Sequence, residues 1–101
     1  MNQKVLAPKE KITEFCRRYH IARLSLFGSA LTSDFGPESD IDVLVEFERG
    51  HSPGFLHLAQ LEDELSDLFE GRKVDLRTPQ DLSRYFRDEV IASAQVQYAA
   101  R

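Results

Sequence analysis

The chain has 101 residues, of which 42% are hydrophobic and 30% are charged, and its formal net charge is −4. This length suits one small domain with a modest core, so we expect a single domain over residues 1–101. No apolar run approaches the ~20 residues that a membrane span needs, and Met1–Pro8 lacks the apolar stretch of a signal peptide. The composition therefore predicts a cytoplasmic protein, and its acidic balance disfavours direct binding to nucleic acid.

Cysteine and histidine do not indicate a metal site. Cys16 is the single cysteine, which excludes a disulfide or a cysteine zinc site within the chain. It lies on the apolar side of a predicted helix, so we expect it in the core. His20, His51 and His57 have no spacing typical of metal ligands, and we expect them on the surface or in loops.

The first half of the chain predicts one helix and two long strands. Apolar residues three and four positions apart indicate the helix, and alternating polar and apolar residues indicate the strands. Ser29 can cap a short helix, and the residues after it have the turn chemistry of a loop. The predicted bounds are helix 8–19, strand 21–27, short helix 29–33, loop 34–39 and strand 40–48.

The second half predicts a strong helix, a short strand and a final helix. Leucines line one side of residues 55–70, and Gly71 is typical of a helix end. A strand over 73–77 follows, and Thr78-Pro79-Gln80-Asp81 has the form of a capped helix start, continued by an apolar stripe to about residue 94. The element order predicts an α+β fold, in which helices cover a small mixed β-sheet.

Three aspartates on the predicted strands indicate a metal site. Asp40 and Asp42 face the same way, because side chains alternate along a strand, and Asp75 lies opposite the apolar set of its own strand. If the two strands are neighbours, all three carboxylates share the face of the sheet that is not the core. Such carboxylates repel one another, and Mg²⁺ prefers oxygen ligands of this kind. Two ions about 3.5–4 Å apart can hold the attacking and leaving oxygens of a displacement at phosphorus.

A glycine and a serine before the aspartates suit a phosphate. Gly28 lets the backbone approach a phosphate closely, and amides after Ser29 offer donors at a helix start. A purely structural interpretation remains open, with Asp40 in a turn and with Asp42 and Asp75 as exposed strand residues. An isolated Asp-x-Asp pattern is weak, whereas the joint pattern with a third carboxylate in register is much stronger.

The segment from Phe27 to Val45, with FGS, ten residues and DIDVLV, resembles the signature of the minimal nucleotidyltransferases. These belong to the DNA polymerase beta-like nucleotidyltransferase superfamily. The segment from Gly71 to Leu76 resembles the strand that carries the third carboxylate of that family. The resemblance implies a polymerase-beta-like nucleotidyltransferase fold over most of the chain.

The resemblance also implies an activity and a role for each site residue. Asp40 and Asp42 would bind two Mg²⁺ ions, and Asp75 would complete the metal site and act as general base. Gly28 and Ser29 would hold the phosphates of the nucleotide. The implied reaction is the attack of a hydroxyl on the α-phosphate of ATP, which transfers AMP and releases pyrophosphate.

Minimal members of the family commonly pair with a small HEPN-domain protein in toxin–antitoxin modules. The resemblance therefore implies an antitoxin that transfers AMP to a tyrosine of a HEPN ribonuclease toxin, in a hetero-oligomer. Thr32 departs from the pattern, because many relatives have an arginine there. Lys73 and Arg77 share the predicted face of Asp75, so either could compensate, and the alternative that both are solvated strand residues stays open. Two alternatives stay open: an antitoxin that acts by binding alone, and a nucleotidyltransferase for a small hydroxylated molecule.

Overall fold

The computed structural model of the chain describes residues 7–28, 40–51 and 53–100. The predicted short helix over 29–33, the loop over 34–39 and Ser29 itself lie outside the described residues. Three α-helices, four strands and one 3₁₀ turn follow one another in this part of the chain. Their bounds are α1 Lys9–Arg18, β1 Ile21–Phe27, β2 Ile41–Phe47, α2 Phe55–Leu68, β3 Val74–Arg77, a 3₁₀ turn over Pro79–Asp81, α3 Arg87–Ser93 and β4 Gln95–Ala99.

The four described strands form one mixed sheet in the order β3-β2-β1-β4. β1 pairs antiparallel with both β2 and β4, whereas β2 and β3 run parallel. The parallel pair needs a crossover connection, and α2 supplies it between β2 and β3. The predicted α+β fold with a small mixed sheet is therefore confirmed.

The main core lies between one face of the sheet and the helices α1 and α2. The apolar stripe of α1 and the leucine stripe of α2 bury their side chains against alternate residues of β1 and β2. Cys16 is fully buried within this core, as predicted. The largest fully buried side chains of this core, among the described residues, are Cys16, Ile21, Leu24, Ile41, Val43, Val45, Leu61 and Leu65.

The opposite face of the sheet is also partly covered. Leu44 and Ser25 are each 2% exposed and pair directly across β1 and β2. Leu44 shares its strand face with Asp42, because the two residues are two positions apart. The face of the sheet that carries Asp42 therefore has buried residues, Leu44 and Ser25, near this carboxylate.

The predicted helix over 78–94 is wrong in part. Thr78 and Asp81 form a capping box that closes a single 3₁₀ turn, and Leu82 leaves it with extended backbone angles. The Arg87 guanidinium donates to the carbonyls of Pro79 at 2.7 Å and Leu82 at 3.2 Å, so a side chain satisfies carbonyls that a continuous helix would use. A helix returns only over α3, and β4 follows it directly.

None of the described helices combines the length and the apolar character that a membrane crossing requires.

Candidate active site

Asp42 and Asp75 are direct neighbours across two strands. They are partners in the parallel register of β2 and β3, so their side chains project from the same face of the sheet. The residues that flank Asp42, Ile41 and Val43, are fully buried on the opposite, core face. The alternation that buries them therefore places the Asp42 carboxylate on the other face, beside that of Asp75.

Asp40 lies just before β2, two residues ahead of Asp42. The amide of Ile41 donates to the carbonyl of Lys73 at 2.9 Å, which extends the ladder between β2 and β3 to this point. Asp40 is thereby held beside Lys73, with Nζ 4.0 Å from Oδ2. The carboxylate that opens the Asp-x-Asp pattern thus has a cation next to it.

Asp75 also has a cationic neighbour. The Arg77 guanidinium donates to Asp75 Oδ2 at 3.2 Å, and the side chains are 48% and 38% exposed. Repulsion among nearby carboxylates favours such separate pairings with lysine and arginine. Consistent with this, the oxygens of Asp40, Asp42 and Asp75 do not all lie within 4.8 Å of one another in the described part of the chain.

Gly28 lies at the end of β1, next to the Asp42 carboxylate. Phe27 is the register partner of Asp42, so Gly28 follows directly where the two strands meet. Gly28 has a φ of +67°, and a Cβ placed on it would overlap Asp42 Oδ2 and lie 3.2 Å from Asp42 Cγ. Both the backbone conformation and the space beside Asp42 therefore require glycine here.

The structure brings together the predicted residues that it describes. Gly28, Asp40 and Asp42 lie at the same end of the β1–β2 pair, and Asp75 adjoins Asp42 on β3. Ser29 and Thr32 lie outside the described residues, so the predicted phosphate contact of Ser29 stays a prediction. The metal and catalytic roles of the aspartates also stay predictions. The register is compatible with them, because it places Asp42 and Asp75 side by side on one face of the sheet.

Sequence reasoning missed one supporting residue. The Glu62 carboxylate on α2 accepts a hydrogen bond from the amide of Leu76 at 2.8 Å. β3 is an edge strand, and this bond satisfies a donor that points away from β2. Glu62 thereby holds the strand that carries Asp75, and only its place on the acidic side of α2 could have suggested such a role.

A family model described as a nucleotidyltransferase domain matches residues 9–97. The chain is also similar to MJ0435 of Methanocaldococcus jannaschii, provisionally named a protein adenylyltransferase, with 34% identity over 85% of this chain and 89% of that protein. A second relative is the protein adenylyltransferase MntA of Thermococcus cleftensis, with 35% identity over 62% of this chain and 61% of that protein.

Solved structures share the fold. A minimal nucleotidyltransferase, provisionally so named, superposes with a TM-score of 0.69 and 31% identity over 85% of each chain. A toxin–antitoxin crystal structure with AMP-PNP contains a chain with a TM-score of 0.73 and 20% identity, over 92% of this chain and 74% of that one. The complex of a tri-AMPylated Shewanella oneidensis HEPN toxin with an MNT antitoxin matches with a TM-score of 0.65 and 20% identity, over 91% and 70% of the two chains. Fold, motif and relatives agree that this chain belongs to the nucleotidyltransferase domain family, as an enzyme of its minimal group.

Proposed function

We propose that the chain is a Mg²⁺-dependent protein adenylyltransferase and the antitoxin of a HEPN toxin, to which it transfers AMP from ATP. The observation that supports this most is the direct pairing of Asp42 with Asp75, next to a glycine whose backbone adjoins the Asp42 carboxylate. A cytoplasmic location accompanies the proposal because ATP is the substrate.

The residues suit Mg²⁺. Asp40, Asp42 and Asp75 offer carboxylate oxygens at one end of the sheet, and no sulfur or imidazole ligand among the described residues competes there. These carboxylates would hold Mg²⁺, and the chemistry it would supply is neutralisation of charge on the phosphoryl oxygens. Asp40 and Asp42 would provide most of the ligands, and Asp75 would complete the set.

The chemistry is one displacement at phosphorus. A tyrosine hydroxyl of the toxin attacks the α-phosphorus of ATP, and its proton passes to the Asp75 carboxylate. A new bond forms between the tyrosine oxygen and the α-phosphorus, while the bond from that phosphorus to the oxygen bridging to the β-phosphate breaks. Pyrophosphate leaves with the bonding electrons. Little covalent chemistry is asked of the protein, so positioning and charge stabilisation dominate.

Arg77 and Lys73 are the cations available to the phosphates. Their side chains are 48% and 78% exposed, and each already lies against a site carboxylate. Many relatives would use an arginine where this chain has Thr32, and a basic side chain on β3 can supply the same positive charge. We therefore assign to Arg77 the role of contacting the triphosphate, with Lys73 as its neighbour at the rim.

The partner assignment follows the structural relatives. The solved structures that share this fold include a toxin–antitoxin MntA–HepT structure and a complex of an MNT antitoxin with a tri-AMPylated HEPN toxin. Among the described residues at this end of the sheet, Asp40 and Gly28 are exposed, and we propose that a macromolecular hydroxyl reaches the site there. A tyrosine of the HEPN partner is the proposed acceptor.

The test is transfer of label from ATP labelled at the α-phosphate to the purified product of the adjacent gene, with Mg²⁺ present. We expect label on the toxin with the natural chain, and loss of it with Asp42→Asn and with Asp75→Asn. Glu46→Gln is the matched control, since Glu46 lies on β2 but pairs with Arg23 at 3.5 Å, away from the site. Transfer that survives in an Asp40→Asn/Asp42→Asn double variant contradicts the site assignment. Neutralisation of the toxin without any label supports an antitoxin that acts by binding alone.

A further inference from the structure

The strand end opposite to the carboxylates holds a second group of potential metal ligands. The ligand atoms of His20, Glu48 and His51 all lie within 4.8 Å of one another. Among the described residues, no other three histidine, cysteine or acidic side chains meet this closely. The two histidines were expected to be unrelated surface residues, but antiparallel pairing of β1 with β2 brings them together.

Backbone hydrogen bonds fix the three residues relative to one another. The amide of Glu48 donates to the carbonyl of His20 at 2.8 Å, and the amide of His51 donates to the carbonyl of Glu48 at 3.0 Å. Gly50, with a φ of +82°, allows the tight turn between the last two. The junction of α1 with β1 and the turn after β2 are therefore joined by backbone hydrogen bonds.

The side chains converge above this junction. The imidazole rings of His20 and His51 stack with centroids 3.9 Å apart and an angle of 17° between their planes. His20 Nδ1 lies 3.8 Å from Glu48 Oε1. His20 also has a φ of +59°, an uncommon conformation for a residue other than glycine.

We propose that His20, Glu48 and His51 form a binding site for a divalent transition-metal ion of the zinc class. Two imidazoles and one carboxylate are a typical ligand set for Zn²⁺ and leave a fourth position for water. With Zn–N distances of about 2.0–2.1 Å, ligands around a tetrahedral ion lie about 3.4 Å apart. The three ligand atoms, which lie within 4.8 Å of one another, would move closer and the stacked rings would turn apart when the ion binds. The hard ion Mg²⁺ prefers oxygen ligands, which separates this site chemically from the aspartates.

The site is also separate in space. Asp42 pairs with Phe27, whereas Ile21, next to His20, pairs with Phe47, next to Glu48. Six residues of strand from Asp42 to Glu48 span about 20 Å. Zinc bound here would connect the start of β1 to the turn after β2 without contacting the aspartates of the candidate active site.

The experiment is a zinc titration of the full-length chain, free of any histidine tag, against a chromophoric chelator at neutral pH. We expect one Zn²⁺ per chain at this site, and a loss of affinity of at least about tenfold in both His20→Asn and His51→Asn. Asparagine tolerates the left-handed backbone of residue 20, so the fold should be kept. As a second readout, Zn²⁺ should raise the thermal unfolding midpoint of the natural chain and not that of the His20→Asn/His51→Asn double variant.

Two controls separate this site from others. His57→Asn removes an exposed histidine outside the group, and Asp42→Asn removes the central carboxylate of the active site; both should keep the zinc affinity. Zinc binding that is unchanged in both histidine variants overturns the proposal, and so does an equal loss in His57→Asn. Loss in Asp42→Asn would assign the zinc to the carboxylates and would also contradict it. Failure of adenylyl transfer leaves this result unaffected, because the titration needs neither ATP nor a partner.

Discussion

Gly28 offers the sharpest test of how the backbone beside Asp42 supports the site. Its φ of +67° costs an alanine about 1–2 kcal/mol in the left-handed region. The added methyl would also overlap Asp42 Oδ2, which is the end of a short, half-buried side chain that can rotate away. The displaced carboxylate then loses its place beside Asp75, and a misplacement of about 1 Å in a catalytic group can lower a rate about 100-fold.

Gly50→Ala is the matched control. Gly50 has a φ of +82°, and a Cβ there would meet nothing within 4 Å, so this variant carries the backbone strain alone. We expect both variants to lose about 1–2 kcal/mol of unfolding free energy in urea titrations. We expect only Gly28→Ala to lose transfer of AMP, by about 100-fold. Equal transfer rates for the two variants would refute the argument that Gly28 keeps space for Asp42.

Three further predictions concern the stability of the fold. Burial raises the pKa of the Cys16 thiol from 9.0 to about 12, so we expect a thiol reagent to label Cys16 only after unfolding. The stability that the neutral thiol contributes below pH 9.0 should fall as the pH rises toward about 12. Leu65→Ala empties a fully buried position and should cost about 2–5 kcal/mol in urea titrations, whereas Leu56→Ala, at 79% exposure, should change stability by no more than about 0.5 kcal/mol. The hydrogen bond from the Tyr19 hydroxyl to the Glu64 carboxylate raises the pKa of that hydroxyl above 10.0, so its contribution to stability is present below pH 10.0 and is lost at higher pH. When the free energy of unfolding is measured against alkaline pH, Tyr19→Phe should lose stability less steeply than the natural chain, and identical curves would contradict this.

Much of the site could be predicted because strand alternation carries the necessary information. Once Ile41 and Val43 are assigned to the core, Asp42 must project from the other face, and the same parity applies to Asp75 beside Val74 and Leu76. What alternation cannot give is the register between strands. The direct pairing of Asp42 with Asp75 depends on how α2 returns the chain alongside β2, and only the structure supplies it.

Other features could not be read from local patterns. The helix predicted over 78–94 follows a true apolar spacing, but the Arg87 side chain bonds to the carbonyls of Pro79 and Leu82 and ends the helical ladder between them. β4 is short and its side chains are mostly exposed, with Val96 at 53% exposure, so the hydrophobic pattern that would predict this strand is weak. His20 and His51 meet through strand pairing and a turn, which no spacing along the chain indicates.

Asp42 and Asp75, distant in the chain, are proposed to hold the same divalent ion. The most direct measurement is the binding of Mn²⁺, a paramagnetic substitute for Mg²⁺, to the natural chain, to Asp42→Asn, to Asp75→Asn and to the double variant, with Glu46→Gln as control. We expect each single variant to weaken binding and the double variant to lose much less than the sum of the two losses, because ligands of one ion are coupled. Losses that add independently, or a loss in Glu46→Gln as large as that in Asp42→Asn, would contradict a shared metal site.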